Sequence, residues 1–391
     1  MQEFKSYDVS TKEIIDVGDK NYGIAAMEKI KDNLNATKSK LDEVFSDKDF
    51  SFVWNGCDPF KPEKRVVSTI GCTSNVSNAW LKCYEMISHY GFIPSKSNKF
   101  VHFDNAAFPG SFVLATHHYV NTLTDWGRNY SWRASSLFEV NQSNKVPLED
   151  KYKLYQNYSN HWLMDEKNNG DVLLRHNQLD FMHKLGHSVD LYTSDLGFDV
   201  SSDYNNQELI QCPANIGQIL TGILSLKKGG NFITKQYTIF EPITISVIYA
   251  VATFFNKFYI CKPVTSRTAN SEIYLVGEDF KDELDDDVFT NEYVEALMNR
   301  MENNSTVPIF DAASYPKNYL KKMVNVANEL ASSQIEKINA DFDRYEQYAN
   351  GNRQIVNNFK EFIADDVTDW YIRHPVLPIS KTDALNIVSA L

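Results

Sequence analysis

Residues 227–276 read KKGGNFITKQYTIFEPITISVIYAVATFFNKFYICKPVTSRTANSEIYLV. Residues 231–237 alternate in polarity as a strand does, and residues 244–255 form an apolar run of helical length. Two more strands are predicted at 258–261 and 272–276. Strands separated by a helix run parallel, whereas strands joined by a short loop run antiparallel. We therefore expect a mostly parallel sheet in which the final strand is reversed.

The same alternation of strands and helices extends toward the N-terminus. Strands are predicted at 99–104 and 189–193, and helices begin near Phe112 and Pro213. An amphipathic helix is predicted at 73–90. This pattern is typical of a doubly wound α/β sheet with helices on both faces, in which ligands bind beyond the carboxyl ends of the strands.

The composition suits a globular protein and excludes several other classes. The chain has 391 residues, of which 43% are hydrophobic, and this is ample for a packed core. A net charge of −12 argues against a generally basic nucleic-acid coat. Five scattered cysteines indicate a reducing compartment, and the sequence shows neither a signal peptide nor an apolar run of membrane-spanning length. We expect a soluble intracellular protein that does not engage membranes.

Charge is distributed unevenly along the chain and suggests three segments. Residues 281–391 carry a net charge of −8, begin with the acidic run KDELDDDV at 281–288, and are predicted to be helical. Residues 211–270 carry six basic side chains and one acidic one, a net charge of +5. We predict an N-terminal accessory segment at 1–72, an α/β domain at 73–280 and a helical C-terminal region. The basic stretch is expected to bind a polyanion, the alternative being ordinary solvated lysines.

Four charged residues are predicted to meet at the carboxyl edge of the sheet. Asp195 ends one strand, Lys235 lies near the end of the next, and Glu272 begins the reversed strand, level with those ends. Lys82 lies off the apolar face of its helix. A lysine between carboxylates and a second cation can have its pKa tuned for a base role toward a weakly acidic hydroxyl. The structural alternatives are a surface lysine at 82, a helix cap at 195 and an ordinary ion pair at 272.

Segment 104–112 (DNAAFPGSF) follows a strand and opens a helix. Its small residues let the backbone approach a ligand closely, and a helix N-terminus favours a carboxylate. It is neither a GxGxxG fingerprint nor a P-loop, so it gives no support to a dinucleotide or a nucleoside triphosphate. Residues 169–172 (NGDV) offer a further polar contact, although Asp171 can instead cap a turn.

Six motifs occur in order between roughly residues 75 and 280: NAWLKCYE (78–85), FDNAAFPGSF (103–112), NNGDV (168–172), LYTSDLG (191–197), KKGGNFITKQY (227–237) and KPVTSRTANSEIYLV (262–276). Together they resemble the FtsJ-like RNA 2′-O-methyltransferase family, in the cap-type branch of eukaryotes and large cytoplasmic DNA viruses. The resemblance implies a Rossmann-like α/β fold with helical extensions and S-adenosylmethionine as cofactor. It also implies methyl transfer to a ribose 2′-hydroxyl of RNA.

By matching position, the resemblance assigns the site residues. The catalytic set is Lys82, Asp195, Lys235 and Glu272, in which Lys235 is the base, the carboxylates set its charge state and Lys82 orients the hydroxyl. The cofactor-binding set is Asp104, Ala107, Pro109, Gly110, Asp171 and Asp195. The loop before Glu272 is expected to contact RNA through Lys262 and Arg267, the alternative being ion pairs with Glu272 or with the acidic tail. The resemblance implies no metal.

Two positions depart from the family pattern, and two alternative functions stay open. The family usually has glycine where this chain has Ser111, and often glycine or methionine where it has Leu196. The resemblance implies a capped mRNA 5′ end as substrate, association with other capping or transcription proteins, and a place in host cytoplasm or a virion. The alternatives are methylation of ribosomal or other structured RNA, and a non-catalytic subunit that binds RNA or a partner.

Overall fold

The computed structural model describes residues 3–44, 46–71, 76–95, 99–125, 129–137, 149–198, 200, 203–281 and 291–385. The predicted acidic run lies outside the described residues, apart from Lys281. Among the residues described, no helix has both the length and the apolar character needed to cross a membrane.

Seven strands of the described chain form one mixed sheet. They are β1 (Lys5–Asp8), β2 (Phe100–Asn105), β3 (Tyr130–Ala134), β4 (Val189–Ser194), β5 (Leu226–Tyr237), β6 (Phe255–Lys262) and β7 (Glu272–Phe280). Their spatial order is β1-β6-β7-β5-β4-β2-β3. Strands β3, β2, β4 and β5 run parallel, whereas β7 runs antiparallel to both β5 and β6. The predicted parallel sheet with a reversed final strand is confirmed.

Helices cover both faces of the sheet. The described ones are α1 (Ala25–Val44), α2 (Lys48–Gly56), α3 (Glu63–Ile70), α4 (Asn78–Tyr90), α5 (Ser111–Leu123), α6 (Leu154–Asn157), α7 (Arg175–Leu185), α8 (Gln207–Ser225), α9 (Pro242–Ala252), α10 (Glu292–Glu302), α11 (Tyr319–Ala349), α12 (Ile355–Phe362) and α13 (Ala364–Arg373). Because successive strand residues point to opposite faces, Tyr192 and Phe232 join one core with α1 and α7 to α11. Leu191 and Ile233 join a second core with α4, α5 and Trp370 of α13.

Strands β1 and β3 form the two edges of the sheet, and the sequence analysis did not predict either of them. Strand β1 belongs to the segment predicted as accessory, yet it pairs antiparallel with β6. Both strands are short and only half-buried, so they lack the apolar run that marks the central strands. The N-terminal helix α1 also packs against α11 of the C-terminal region. The division at residues 72 and 280 therefore remains a proposal.

Hydrogen bonds fix the first turns of two helices, α4 and α8, near the carboxyl edge of the sheet, where the predicted site residues lie. Helix α4 begins after Ser77, whose hydroxyl accepts a hydrogen bond from the Trp80 amide at 3.2 Å. Helix α8 begins at Gln207 rather than near Pro213. Its first turn is anchored by the buried Glu208, which accepts a hydrogen bond from the Phe240 amide at 2.9 Å. This contact ties α8 to the segment that follows β5.

Candidate active site

Lys82 and Glu272 form a buried ion pair at the carboxyl edge of the sheet. Lys82 lies on α4, and Glu272 is the first residue of β7. The Lys82 Nζ atom is 2.5 Å from Glu272 Oε1, and this oxygen also accepts a hydrogen bond from Ser266 Oγ at 2.8 Å. The exposed fractions are only 7% for Lys82 and 8% for Glu272. Lys82 is thus an interior lysine and not a surface one.

Lys235 and Asp195 form the second ion pair. The Lys235 Nζ atom donates to the backbone carbonyl of Asp195 at 2.8 Å and lies 3.3 Å from its carboxylate oxygen Oδ1. The buried Tyr274 hydroxyl donates to the same Oδ1 at 2.9 Å. A Cβ atom at Gly197 would lie 2.8 Å from Lys235 Nζ, so the glycine keeps the space beside the amine clear. An ammonium has three protons, and Asp195 engages two of them.

The register between β5 and β7 brings the two pairs together. Tyr237 lies opposite Glu272, and Lys235 lies opposite Tyr274. The end of β5 is therefore level with the start of β7, as the reversed strand predicts. The structure places the four predicted catalytic residues in one cluster. Their catalytic roles remain a proposal.

Electrostatics favour the charged forms of Lys235 and Glu272. Burial disfavours the Lys235 ammonium, but the charges of Asp195 and Glu272 outweigh burial and raise the pKa of Lys235 above its ordinary value. Burial likewise disfavours the Glu272 carboxylate, but Lys82 and Lys235 lower the pKa of Glu272 to about 2. The pKa of Lys235 is therefore shifted away from the base role for which the sequence analysis expected it to be tuned. Lys235 carries a proton near neutral pH.

The Lys262 side chain points into the protein. It is 7% exposed, and its Nζ atom donates to the backbone carbonyls of Asn270 at 2.9 Å and Glu272 at 2.6 Å, as well as to the Asn270 side chain. Burial lowers the pKa of Lys262 to about 7, the nearby Lys82 adding to the effect and Glu272 opposing it. These contacts do not fit the predicted phosphate contact. Lys262 instead fixes the backbone from which Glu272 extends.

The predicted basic face does not form. Lys227 and Lys228 lie at the amino end of β5, opposite the reaction edge, and Lys257 pairs with Glu278 at 3.0 Å near the amino end of β6. Arg267 pairs with Asp58 of the N-terminal segment at 2.9 Å, which is neither of the alternatives considered from the sequence. The prediction that residues 211–270 concentrate positive charge beside the site is therefore wrong, because those lysines are distributed between two opposite ends of the sheet.

Glu85 is a supporting residue that the sequence analysis missed. It lies on α4 one turn beyond Lys82 and is fully buried. Its carboxylate accepts hydrogen bonds from the Val264 amide at 2.9 Å, the Thr265 amide at 3.0 Å and the Thr265 hydroxyl at 2.6 Å. One helix therefore contacts both Glu272 and the loop leading to it. The sequence offered one indication of this role: Glu85 is a polar residue one helical turn after Lys82, on a helix that is mostly buried.

Asp104 ends a chain of buried hydrogen bonds. Thr193 Oγ1 donates to Asp104 Oδ1 at 2.7 Å and lies 2.7 Å from His102 Nε2, while His102 Nδ1 lies 3.3 Å from the Tyr130 hydroxyl. Burial lowers the pKa of His102 to about 3, so its ring is neutral. Burial and the charge of Asp195 raise the pKa of Asp104 well above its ordinary value. These groups connect β3, β2 and β4 beneath the turn that follows β2.

The turn 104–110 fits the methionine end of S-adenosylmethionine. Asp104 Oδ2 and Asn105 Oδ1 are buried and have no hydrogen-bond partner among the described residues. Acceptors of this kind suit an ammonium group, since a buried acceptor without a donor is costly. The Ala107 amide bonds to Ser135 O at 2.9 Å, and Pro109, after a cis peptide bond, leads into α5. Amide groups at a helix N-terminus suit a carboxylate.

Gly110 and Ser111 both pack toward the protein. Gly110 has a φ angle of +111°, and a Cβ atom there would lie 2.3 Å from Leu154 Cδ1. The Ser111 hydroxyl accepts a hydrogen bond from Ser77 Oγ at 2.8 Å and lies 3.4 Å from the Tyr152 hydroxyl. The side chain at the departure from the family pattern is therefore occupied by protein contacts. It connects the turn to the N-cap of α4.

Asp171 caps a turn, which is the alternative that the sequence analysis considered for this residue. Its Oδ1 atom accepts a hydrogen bond from the Leu173 amide at 2.9 Å. Gly170 beside it has a φ angle of +81°, and a Cβ atom there would lie 1.9 Å from Ser136 O. This close approach places the turn against the segment that follows β3, at the carboxyl edge. A cofactor contact by Asp171 remains a proposal.

The chain was compared with known families and proteins. Residues 75–280 match the family described as FtsJ-like methyltransferase, which covers just over half of the chain. The chain belongs to the FtsJ-like methyltransferase family. The protein named "Probable methyltransferase EP424R" of African swine fever virus (isolate Pig/Kenya/KEN-50/1950) is 34% identical over 333 residues, which cover 81% of this chain and 76% of that protein. The predicted family and methyltransferase class are confirmed.

This FtsJ-like methyltransferase also resembles longer eukaryotic proteins. The protein named cap-specific mRNA (nucleoside-2′-O-)-methyltransferase 2 is 26% identical in Danio rerio, over 88% of this chain and 46% of that protein. Its counterpart in Mus musculus is 25% identical, over 76% of this chain and 39% of that protein. The FtsJ-like chain therefore spans less than half the length of these eukaryotic relatives.

Proposed function

We propose that this FtsJ-like methyltransferase transfers a methyl group from S-adenosylmethionine to a ribose 2′-hydroxyl of RNA at the capped 5′ end of mRNA. The observation that carries the proposal is the charged cluster of Lys82, Asp195, Lys235 and Glu272 beside the turn 104–110. The names of the eukaryotic relatives support the cap and the 2′-hydroxyl as targets. Association with other capping or transcription proteins, and a cytoplasmic or virion location, belong to the same proposal.

The turn 104–110 and the N-terminus of α5 would hold the cofactor. Asp104 and Asn105 would accept hydrogen bonds from its ammonium, and the first amides of α5 would bind its carboxylate. When bound, S-adenosylmethionine supplies a methyl group already activated on a sulfonium sulfur. The protein therefore needs to position and deprotonate the hydroxyl rather than activate the donor.

The charged cluster would position the hydroxyl and take up its proton. Asp195 holds Lys235 Nζ through its carbonyl and its carboxylate, and the Tyr237 hydroxyl contacts the same amine. The substrate oxygen would approach this amine on the side that these groups leave open. Lys235 must first lose the proton that Asp195 and Glu272 stabilise on it, after which its amine accepts the hydroxyl proton. Lys82, held by Glu272, would stabilise negative charge on the same oxygen.

Methyl transfer to matched RNAs tests the proposal. We would incubate the protein with S-adenosylmethionine carrying a labelled methyl group and with one short transcript, capped or uncapped. Label is expected on the capped transcript and is expected to be lost when the 2′-hydroxyls next to the cap are replaced by hydrogen. Equal label on both transcripts would overturn the cap assignment. Label only on a structured ribosomal RNA fragment would favour that substrate, and no binding of S-adenosylmethionine would favour a non-catalytic subunit.

A further inference from the structure

A cavity of about 350 Å³ lies between the sheet and helix α11, apart from the charged cluster. Its walls come from β1, α1, the segment after β5, the loop between β6 and β7, and α11. Of the described residues that line it, none belongs to the charged cluster or to the turn 104–110. Ile273 lines the cavity, whereas Glu272 and Tyr274 on either side of it contact the cluster. The cavity and the cluster therefore lie on opposite faces of the sheet.

Much of this cavity is built by segments outside the region that matches the family. Lys5 lies on β1, Leu34 lies on α1 and Leu330 lies on α11, and all three fall outside residues 75–280. Helix α11 is held against the loop between β6 and β7, because the Gln334 side-chain amide donates to the Ala269 carbonyl at 2.9 Å. A site in this cavity is therefore not a property of the family region alone.

Two amines face the cavity from neighbouring strands. Lys5 of β1 lies opposite Lys262 of β6 in an antiparallel pair, so the two side chains share one face of the sheet. Lys5 donates to the Ser333 hydroxyl of α11, and Lys262 donates to the backbone carbonyls of Asn270 and Glu272. These partners are all neutral oxygens. The two positive charges are therefore not compensated by the groups that hold them.

The inner part of the cavity favours an anion. An ammonium has three protons, and Ser333 accepts only one of those on Lys5, so this amine can also donate to a ligand. Burial lowers the pKa of Lys262, and the charge of Lys5 adds to the effect, which shows that the two amines lie close enough to repel each other. The two carboxylates that line the cavity, Glu3 and Glu336, are exposed.

The other walls of the cavity are apolar and indicate the size of a ligand. Aliphatic side chains line them, namely Leu34, Ile239, Ile273, Ala327 and Leu330. Because an apolar cavity of about 150 Å³ holds one benzene molecule, about 350 Å³ suits a ligand of roughly 14 heavy atoms. Cavities of this size, with mostly apolar walls and a few charged groups, are typical of small-molecule sites.

We infer that this cavity binds a small carboxylate with an apolar body. The Lys5 ammonium and the Ser333 hydroxyl would donate to the two carboxylate oxygens, and the apolar body would contact Leu34, Ile273 and Leu330. The inference goes beyond the proposed function, because the site needs neither S-adenosylmethionine nor RNA. Since Lys262 also holds the backbone of Glu272, the ligand lies next to a residue that supports the charged cluster.

Naphthoate and naphthamide test the inference, because they have nearly the same size and shape and only naphthoate is charged. Binding of each to the full chain would be measured by isothermal titration calorimetry, with and without excess S-adenosylhomocysteine. Naphthoate should bind at least tenfold more tightly than naphthamide, and S-adenosylhomocysteine should not change its affinity. No binding of naphthoate, equal affinities for the two compounds, or competition by S-adenosylhomocysteine would each overturn the inference.

Substitutions in the cavity locate the bound probe. Lys5→Met removes the donor for the carboxylate, and Leu330→Trp fills the space beside the apolar wall, so each should weaken naphthoate binding at least tenfold. Lys5→Arg keeps the charge and should retain most of the affinity. Lys321→Met, at an exposed position of the same helix α11, is the control and should bind as the wild type does.

Melting temperatures equal to that of the wild type would show that the variants are folded. Unchanged naphthoate affinity in either folded variant, Lys5→Met or Leu330→Trp, would overturn the inference. The same loss of affinity in Lys321→Met as in Lys5→Met would also overturn it, because binding would then follow the total charge of the protein and not this cavity.

Discussion

The Lys262 side chain donates to the backbone carbonyl of Glu272 at 2.6 Å, within the same residue whose carboxylate holds Lys82. Lys262 therefore connects the end of β6 to the start of β7. Together with Glu85, which binds the intervening loop from α4, it determines where the Glu272 carboxylate lies. A lysine in this position fixes the backbone from which the Glu272 carboxylate extends.

Replacing Lys262 with methionine should slow methyl transfer without weakening cofactor or RNA binding. The change removes the donor that holds Asn270 and Glu272, so kcat should fall at least tenfold while KM for RNA and its salt slope stay within experimental error. Lys257→Met, on the exposed end of the same strand, is the matched control and should keep kcat. A reduced salt slope for Lys262→Met would reinstate the phosphate contact.

The stability of the same variant should differ from wild type in its pH dependence. Burial lowers the pKa of Lys262 to about 7 in the folded protein, against an ordinary value of 10.5 in the unfolded chain. Between these pH values the unfolded chain binds the proton that the folded chain has released, so this group makes the free energy of unfolding rise with pH. Lys262→Met should lose that rise, as measured by urea unfolding at pH 7 and pH 9. If the free energy of unfolding changed equally with pH in the wild type and the variant, Lys262 would keep its proton in the folded protein.

Lys235→Ala should abolish methyl transfer and leave cofactor affinity within a few-fold of wild type. The wild-type rate should also rise with pH above neutrality, because Asp195 and Glu272 raise the pKa of the base. Lys228→Ala, at the other end of β5, is the control and should keep both the rate and its pH profile. A wild-type rate independent of pH from 7 to 9 would argue that Lys235 acts as an ammonium that orients the hydroxyl.

Thr193→Val should weaken binding of S-adenosylhomocysteine about tenfold, as expected for the loss of one hydrogen bond that orients Asp104. The threonine hydroxyl orients Asp104 Oδ1 and leaves Oδ2 free for the cofactor ammonium. Affinity for adenosine, which lacks the methionine end, should not change. Thr221→Val removes a buried hydroxyl bonded to Gly217 O on α8 and serves as control. An equal loss of affinity for both ligands would contradict the placement of Asp104 beside the methionine end of the cofactor.

Gly110→Ala should lower the melting temperature more than Gly91→Ala does. Both glycines have positive φ angles, +111° and +65°, so both substitutions strain the backbone. Only at Gly110 would the added Cβ atom also meet Leu154, at 2.3 Å, whereas at Gly91 nothing described lies within 4 Å. Melting curves of the two variants measure the difference. Equal melting temperatures would mean that Leu154 moves aside at no cost.

The sequence predicts where three of the four cluster residues meet, because strand direction sets the edge that each of them reaches. Asp195 follows β4, Lys235 lies near the end of the parallel β5, and Glu272 begins the antiparallel β7, so all three reach the same edge. Interior partners are harder to predict, because they depend on packing between distant segments. Glu85 bonds to a loop about 180 residues away in the chain, and Arg267 bonds to Asp58 more than 200 residues away.

The net charge of residues 211–270 wrongly predicted a basic face beside the site, for a related reason. This net charge includes lysines at both ends of β5. A net charge does not say at which end of the strand each lysine lies. Lys228 and Lys235 are seven positions apart in the sequence, yet one is exposed at the amino end and the other is buried at the carboxyl end.

Strand β1 supplies the partner for the outer side of β6 through Lys5–Asp8. A protein shortened to begin after Asp8 would present β6 with a row of unpaired amide and carbonyl groups. Exposed strand edges of this kind recruit strands from other molecules. Such a shortened protein should keep the turn 104–110, which follows a strand near the opposite edge of the sheet, and yet precipitate at concentrations where the longer chain stays in solution.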